Sequence, residues 1–241
     1  MTTRMVEVRA KVLKHNDLLA HALREEFRSK GICVVGLVSS PGSGKTAFLE
    51  KLLGALAREY RVAALVGDLA TENDAVRLLR ATPNVKQITT GTICHLDAQM
   101  VKNALDSWEL DEVDFLFIEN VGNLVCPSSY DLGEEIRFVL LSATEGEDKP
   151  LKYPTIFNSS DVAVITKMDL AEAAEFDLAS ARCNIEGVRP GMQIFEVSSK
   201  TGMGMDYVAT FLRAQLARSR EAASAVRQSR CITTTVAPIP V

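Results

Sequence analysis

The residues best suited to chemistry lie in one run, Ser39-Ser-Pro-Gly-Ser-Gly-Lys-Thr46. An apolar stretch at 32–38 precedes it, and Ala47-Phe-Leu-Glu-Lys-Leu-Leu53 follows. Strand, glycine turn and helix in that order make a phosphate cradle. Turn N–H groups converge on phosphate oxygens, and the helix adds the positive end of its dipole. Pro41, Gly42, Ser43 and Gly44 supply the turn; Lys45 can reach the β- and γ-phosphates, and the Thr46 hydroxyl can ligate Mg²⁺. One position departs from the pattern, since Ser39 stands where a first glycine is usual. The competing reading is a glycine turn without a ligand. Gly42, Gly44, Lys45 and Thr46 together, in this context, outweigh it.

Two acids follow apolar runs further on. Asp68 comes after Val62-Ala-Ala-Leu-Val-Gly67, and Glu119 after Phe115-Leu-Phe-Ile118. Strand-end carboxylates beside a phosphate cradle can hold a Mg²⁺ water shell or orient an attacking water. Lys45, Asp68 and Glu119 are therefore the candidate catalytic residues, and Thr46, Asp68 and Glu119 the candidate Mg²⁺ set. Glu119-Asn-Val-Gly122 resembles an Asp-x-x-Gly element, with the N–H of Gly122 as a γ-phosphate sensor. Base identity rests on Thr166-Lys-Met-Asp169. A carboxylate at Asp169 can accept from N1–H and the 2-amino group of guanine, whereas adenine offers neither donor. A buried acceptor left unpaired typically rejects such an analogue by ~10⁴-fold or more. The stem of Lys167 would cover the base, and Ser198-Ser199-Lys200 would present N–H groups to guanine O6. Thr166 replaces a common Asn, which puts the amide's bonds in doubt and leaves a hydroxyl. The ligand expected is GTP or GDP.

A third group is Cys94-His95, at an expected helix start, and Cys126, four residues after Gly122. A helix N-terminus lowers a thiol's pKa and favours the metal-binding thiolate. The spacing is not that of a zinc finger, and residue chemistry alone favours a buried structural cysteine. Three donors also leave a tetrahedral or square-planar site incomplete, unless two subunits meet across a twofold axis.

Positioning these groups requires a scaffold. Apolar strands are expected at 32–38, 62–66, 115–118, 162–165 and 194–197, with helices near 45–58, 73–81, 95–107, 171–181 and 203–218. The alternation predicts an α/β fold, a doubly wound and mostly parallel sheet whose ligands bind at the carboxyl ends of its strands. An amphipathic helix leads, giving a helical segment at 1–30, a nucleotide domain at 31–218 and a flexible tail at 219–241. Residues 141–158 read as an irregular insertion. The 241 residues are 47% hydrophobic and 24% charged, with a net charge of −4 and no dense Lys/Arg run, which argues against nucleic acid. No run approaches a membrane span, and the N-terminus lacks the apolar stretch of a signal peptide. Five cysteines without a secretory signal favour reduced thiols and a cytoplasmic location.

Several of these elements, with Gly67-Asp68, Asn73-Asp-Ala75, Thr90-Gly-Thr-Ile-Cys-His-Leu-Asp-Ala98, Glu119-Asn-Val-Gly-Asn-Leu-Val-Cys-Pro127 and Asp148-Lys-Pro-Leu-Lys-Tyr-Pro154, resemble the HypB family, the nickel-incorporation GTPases of hydrogenase maturation. The resemblance covers about residues 30–218. It implies a P-loop NTPase of the SIMIBI type and a GTP-dependent homodimer with a Ni²⁺ or Zn²⁺ site near the nucleotide. By position it makes Cys94, His95 and Cys126 the metal ligands, reversing the preference drawn from residue chemistry. The partners it implies are a HypA-type nickel metallochaperone and the hydrogenase large subunit. The N-terminal Cys-x-x-Cys-Gly-Cys site and histidine tract of some members are absent, because His15 and His21 are isolated. Alternatives are a urease-type nickel GTPase and a structural or transport ATPase of the same fold.

Overall fold

The computed structural model describes residues 3–69, 72–106, 108 and 112–233. Seven strands form one sheet: β1 Cys33–Ser39, β2 Val62–Asp68, β3 Val85–Thr89, β4 Phe115–Glu119, β5 Ile136–Ser142, β6 Val162–Thr166 and β7 Gln193–Glu196. All pair in parallel, in the order β3-β2-β4-β1-β5-β6-β7. Among the described residues eight α-helices connect or flank them: α1 Thr3–Lys30, α2 Lys45–Leu56, α3 Asn73–Leu78, α4 Ala98–Leu105, α5 Lys149–Lys152, α6 Pro154–Asn158, α7 Leu178–Val188 and α8 Met205–Thr233.

Alternation along the strands explains why helices cover both faces. Val35 and Leu37 of β1 join a core with Phe48 and Leu52 of α2 and Val208 and Leu212 of α8. Val34, one residue out of step, points the other way and packs with Leu23 and Phe27 of α1 and Val101 of α4. A third cluster lies under α6 and α7, against Val139, Leu141, Ala163 and Ile165. The strand order reverses direction at β1, so the loop after β1 lies at the topological switch point, flanked by the ends of β4 and β5.

The five expected strands are present within two residues, and two more were unforeseen. β5 is buried throughout, yet Arg137 interrupts its apolar run. That guanidinium is tolerated because its Nε donates to Glu134 Oε1 at 2.6 Å and its Nη2 to Tyr130 O at 2.7 Å. β3 is an edge strand whose half-exposed Lys86 and Gln87 blur its period. The stretch 141–158 is not an irregular insertion. It completes β5 and then forms α5 and α6, the crossover to β6.

Three helix boundaries also differ. α4 starts at Ala98, because Asp97 accepts from Met100 N–H as its N-cap. Cys94 and His95 therefore lie in the loop before the helix rather than at its start. The helix expected at 171–181 begins at Leu178, after Glu175 at φ 50° and a capping bond from Ser180 N–H to Asp177. α8 runs on through Thr233 where an irregular tail was expected from Ser219. Its extension docks through buried Ala223, beside the Gly31 turn, and through Arg220, whose Nη2 meets Asp114 Oδ1 at 2.5 Å. Residues 234–241 of the expected tail lie outside the described residues.

Candidate functional site

The loop after β1 has the conformation a phosphate cradle needs. Gly42 (φ 75°) and Gly44 (φ 93°) occupy the left-handed region, open to glycine at no steric cost, and Gly44 is the N-cap of α2. Ser39 needs no such freedom, because it ends β1 in ordinary extended backbone. Its buried Oγ accepts from Lys45 Nζ at 2.9 Å and pairs with the Ser43 hydroxyl. Serine thus suits the first position and holds the lysine. Burial lowers the pKa of Lys45, against the opposing charges of Glu119, Asp74, Glu145 and Asp68.

A cavity of about 390 Å³ opens over this loop, lined by Pro41, Gly42, Gly44, Lys45, Thr46, Asp68, Glu119 and Gly122 among others. Thr46 Oγ1 donates to Glu119 Oε1 at 2.7 Å, and Glu119 Oε2 is buried with no hydrogen-bond partner. Burial pushes the Glu119 carboxyl up to about 7, with Lys45 and Thr46 pulling the other way. A hydroxyl, an orphaned carboxylate oxygen and Asp68 on one wall are hard oxygen donors, the set that suits Mg²⁺. Gly122 is pressed against the cradle: a Cβ there would lie 2.9 Å from Pro41 Cα. Only a residue without a side chain allows that approach. Arg77 of α3 lines the same cavity, its Nε donating to Glu50 at 2.6 Å. No sequence signal marked it, since it follows no strand.

The residues expected to recognise the base follow the ends of β6 and β7. Ser198 Oγ donates to Asp169 Oδ1 at 2.5 Å, which orients the carboxylate. Lys167, at φ 57°, lays its chain along the cradle, and its Nζ donates to Gly42 O at 2.7 Å. Thr166 serves the loop rather than the base, because its buried Oγ1 donates to Ser43 O at 2.7 Å. In the 198–200 turn the N–H of Ser198 is taken by Met203 O at 2.9 Å. The expected donor role of that N–H is therefore already filled within the turn.

Cys94, His95 and Cys126 come together, with donor atoms all within 4.8 Å of one another and the two Sγ atoms 3.1 Å apart. His95 Nδ1 is buried without a partner, and the ring lies 4.0 Å from that of Tyr130, tilted by 31°. Burial lowers the pKa of His95, so the imidazole is neutral and able to donate a lone pair. The pKa of Cys94 is raised rather than lowered, first by the hydrogen bond it shares with Cys126 and then by burial. The expected depression fails because the helix start lies beyond it. Two sulfurs and an imidazole are the soft and borderline donors that nickel and zinc accept.

The two sites share a segment. Asn120, immediately after Glu119, accepts from its neighbour Val121 N–H and from Leu96 N–H, both at 2.9 Å. Asn123 Nδ2 donates to Cys94 O at 3.2 Å, and its Oδ1 accepts from Val125 N–H at 2.8 Å. The loop from Glu119 to Cys126 therefore touches the phosphate cavity at one end and grips the Cys94-His95 segment at the other. Both asparagines sit in the motif that the sequence singled out, but their side-chain bonds depend on the fold.

Fold and site together define a P-loop nucleotide-binding protein with an attached thiol–imidazole cluster. The family model for the CobW/HypB/UreG nucleotide-binding domain matches residues 33–196. The hydrogenase maturation factor HypB of Escherichia coli K12 is 43% identical over 212 residues, 88% of this chain and 73% of that one. The hydrogenase/urease maturation factor HypB of Helicobacter pylori is 42% identical over 211 residues, 86% of each chain. The crystal structure of HypB from Helicobacter pylori in complex with nickel has 41% identity and a TM-score of 0.79, covering 86% of this chain and 96% of that one. HypB from Archaeoglobus fulgidus gives 38% and 0.78, covering 84% and 99%. A LAO/AO transport system kinase, at 21% identity and a TM-score of 0.53, shares the fold alone. The chain belongs to the CobW/HypB/UreG family, within its HypB group of hydrogenase maturation GTPases.

Proposed function

We propose that this protein is a slow, GTP-hydrolysing switch that carries nickel and delivers it to the apo large subunit of a nickel–iron hydrogenase. The carrying observation is the shared segment: Glu119 and Gly122 at the phosphate cavity, Asn120 bonded to Leu96 N–H beside the cluster, and Cys126 within it all lie on one loop. The cradle residues Pro41 to Thr46 bind the phosphates, and Lys45 neutralises charge on the transferring group. Thr46, Asp68 and Glu119 are suited to hold Mg²⁺, which supplies electrostatic stabilisation of the phosphates. Asp169, oriented by Ser198, selects guanine; Lys167 covers the base, and Ser199 and Lys200 face its O6. Asp68 and Glu119 are placed to order the attacking water. Arg77 is engaged with Glu50, and among the described residues no glutamine lines the cavity, so hydrolysis runs at a switch's pace.

Cys94, His95 and Cys126 are the ligands for Ni²⁺, or for Zn²⁺ when zinc competes. Three donors leave a position open, which a second copy of the chain completes in a GTP-dependent dimer. A HypA-type metallochaperone is the fitting exchange partner, in the cytoplasm; among the described residues no helix is long and apolar enough to cross a membrane. The names of the Helicobacter relatives include urease, so a second nickel enzyme is a fitting client. The experiment is nickel titration of the reduced protein with GDP and with a non-hydrolysable GTP analogue, at concentrations spanning monomer and dimer. Nickel affinity should differ between the two states, and Cys126→Ser should weaken it without loss of nucleotide binding. Equal affinities throughout would leave Cys126 a passive ligand and refute the switch.

A further inference from the structure

We infer that Asn16, on α1, is a positioning residue for the thiol–imidazole cluster, its carboxamide setting the separation of the two chain segments that carry the donors. The inference rests on the nickel-binding reading above.

Asn16 is one of the few buried polar residues of the leading helix, only 4% exposed. Its Oδ1 accepts from Ala98 N–H at 2.9 Å, and its Nδ2 donates to Asp131 O at 2.8 Å. Ala98 comes three residues after His95, and Asp131 five after Cys126. One planar group thus holds both ligand-bearing segments at a fixed spacing. The task needs a donor and an acceptor on the same short side chain. An ionised aspartate only accepts, and a leucine of similar size does neither.

What Asn16 holds on to is itself immobile. Arg24, two turns further along α1, donates to both carboxylate oxygens of Asp131, at 2.6 and 2.7 Å, and to Glu134 O at 3.1 Å. Gly133, at φ 84°, packs so closely on the helix that a Cβ would lie 2.8 Å from Leu23 Cβ. The helix is anchored in turn by buried Ala20, Leu23 and Phe27. Asn123 also links the two segments, but it lies on the loop that lines the phosphate cavity. Asn16 comes from outside both segments, so it provides the fixed point against which that loop shifts Cys126. Outer hydrogen-bond partners of metal ligands act in this way, by orienting donors they do not replace.

The test uses the full chain, reduced and metal-free, titrated with Ni²⁺ against a competing chelator. The thiolate-to-nickel charge-transfer absorption, the GDP affinity and the apo melting temperature are recorded in parallel. Asn16→Ala should weaken nickel binding by about tenfold or more and alter the charge-transfer band. Its GDP affinity should stay that of the wild type. Asn16→Asp is isosteric and keeps the bond from Ala98 N–H, but it sets a buried carboxylate oxygen against Asp131 O with no proton between them, so it should show a loss at least as large in the same direction. Leu216→Ala is the control for simple destabilisation, since Leu216 is buried in α8 and belongs to a core cluster that includes no residue of either segment. It should lower the melting temperature while leaving nickel affinity within about twofold, because no ligand's orientation depends on it. Wild-type nickel affinity and band shape in Asn16→Ala would overturn the inference, and if that variant fails to fold, the same result in Asn16→Asp would do so. Equal nickel loss in Leu216→Ala, at a matched drop in melting temperature, would overturn it as well. Wild-type protein that binds no nickel, or Cys94→Ser that binds it as tightly, would refute the metal reading itself and this inference with it.

Discussion

Replacing Gly122 by alanine tests the contact between the switch loop and the phosphate cradle. The added Cβ would lie 2.9 Å from Pro41 Cα, 3.1 Å from Pro41 N and 3.4 Å from Pro41 Cβ. Gly122 is not among the residues with positive φ, so alanine can adopt its backbone and the effect is purely steric. Carbon atoms rest about 3.5–4.0 Å apart, so the loop and the cradle must separate by roughly 0.6–1.1 Å. Pro41 lies two residues past the end of β1, the central strand of the sheet, and a shift of the cradle would disturb that strand, so the displacement falls on the Gly122 side. A hydrogen bond from Gly122 N–H to a γ-phosphate oxygen, at about 2.9 Å, would stretch beyond 3.5 Å and be lost. A bond to a charged group is worth about 1.5–3 kcal/mol. The affinity for a non-hydrolysable GTP analogue should therefore fall by about 10- to 100-fold. GDP has no γ-phosphate, so its affinity should be unchanged. Overpacking of about 1–3 kcal/mol should also lower the melting temperature by several degrees. Calorimetric titration with both nucleotides measures the ratio, and an unchanged preference for the GTP analogue over GDP would refute the sensor role.

The remaining predictions need shorter argument. Glu119→Gln should abolish a pH dependence: the folded carboxyl titrates at about 7 against an ordinary 4.5, so the nucleotide-free fold binds the extra proton between those values. Its stability contribution is complete below pH 4.5 and is lost as pH rises to 7. The variant should be more stable than wild type above pH 7 by up to about 3 kcal/mol and similar at low pH; denaturant melts across that range should diverge only on the alkaline side. Asp169→Asn should shift preference from guanine to xanthine nucleotides, because the amide donates where the carboxylate accepted; unchanged discrimination in a competition assay would remove Asp169 from the base site. Gly187→Ala, on α7 with nothing near the new Cβ, should raise stability by about 0.5–1 kcal/mol, and a destabilised variant would contradict the open surface found there.

Much of the nucleotide site is local chemistry, and local chemistry is legible in sequence. The cradle is one strand, one turn and one helix, and its positive-φ positions are glycines that announce themselves. Asp68, Glu119, Thr166 and Ser198 were marked by their position just after apolar runs, because a parallel sheet gathers its strand ends on one edge. What stayed hidden depended on partners far along the chain. β5 was missed because the burial of Arg137 makes sense only once Glu134 is beside it. The continuation of α8 past Ser219 depends on Asp114 and the Gly31 turn. Cys94, His95 and Cys126 had no diagnostic spacing, and only the resemblance to a family suggested a common site. Folding decided that their donors lie within 4.8 Å, with Asn16, some eighty residues before Ala98, bonded to both segments, and with Asn120 tying the Cys94-His95 segment to the loop that lines the phosphate cavity. Motifs record what neighbouring residues do together; the spacing of two segments is set by whichever side chain the tertiary fold inserts between them.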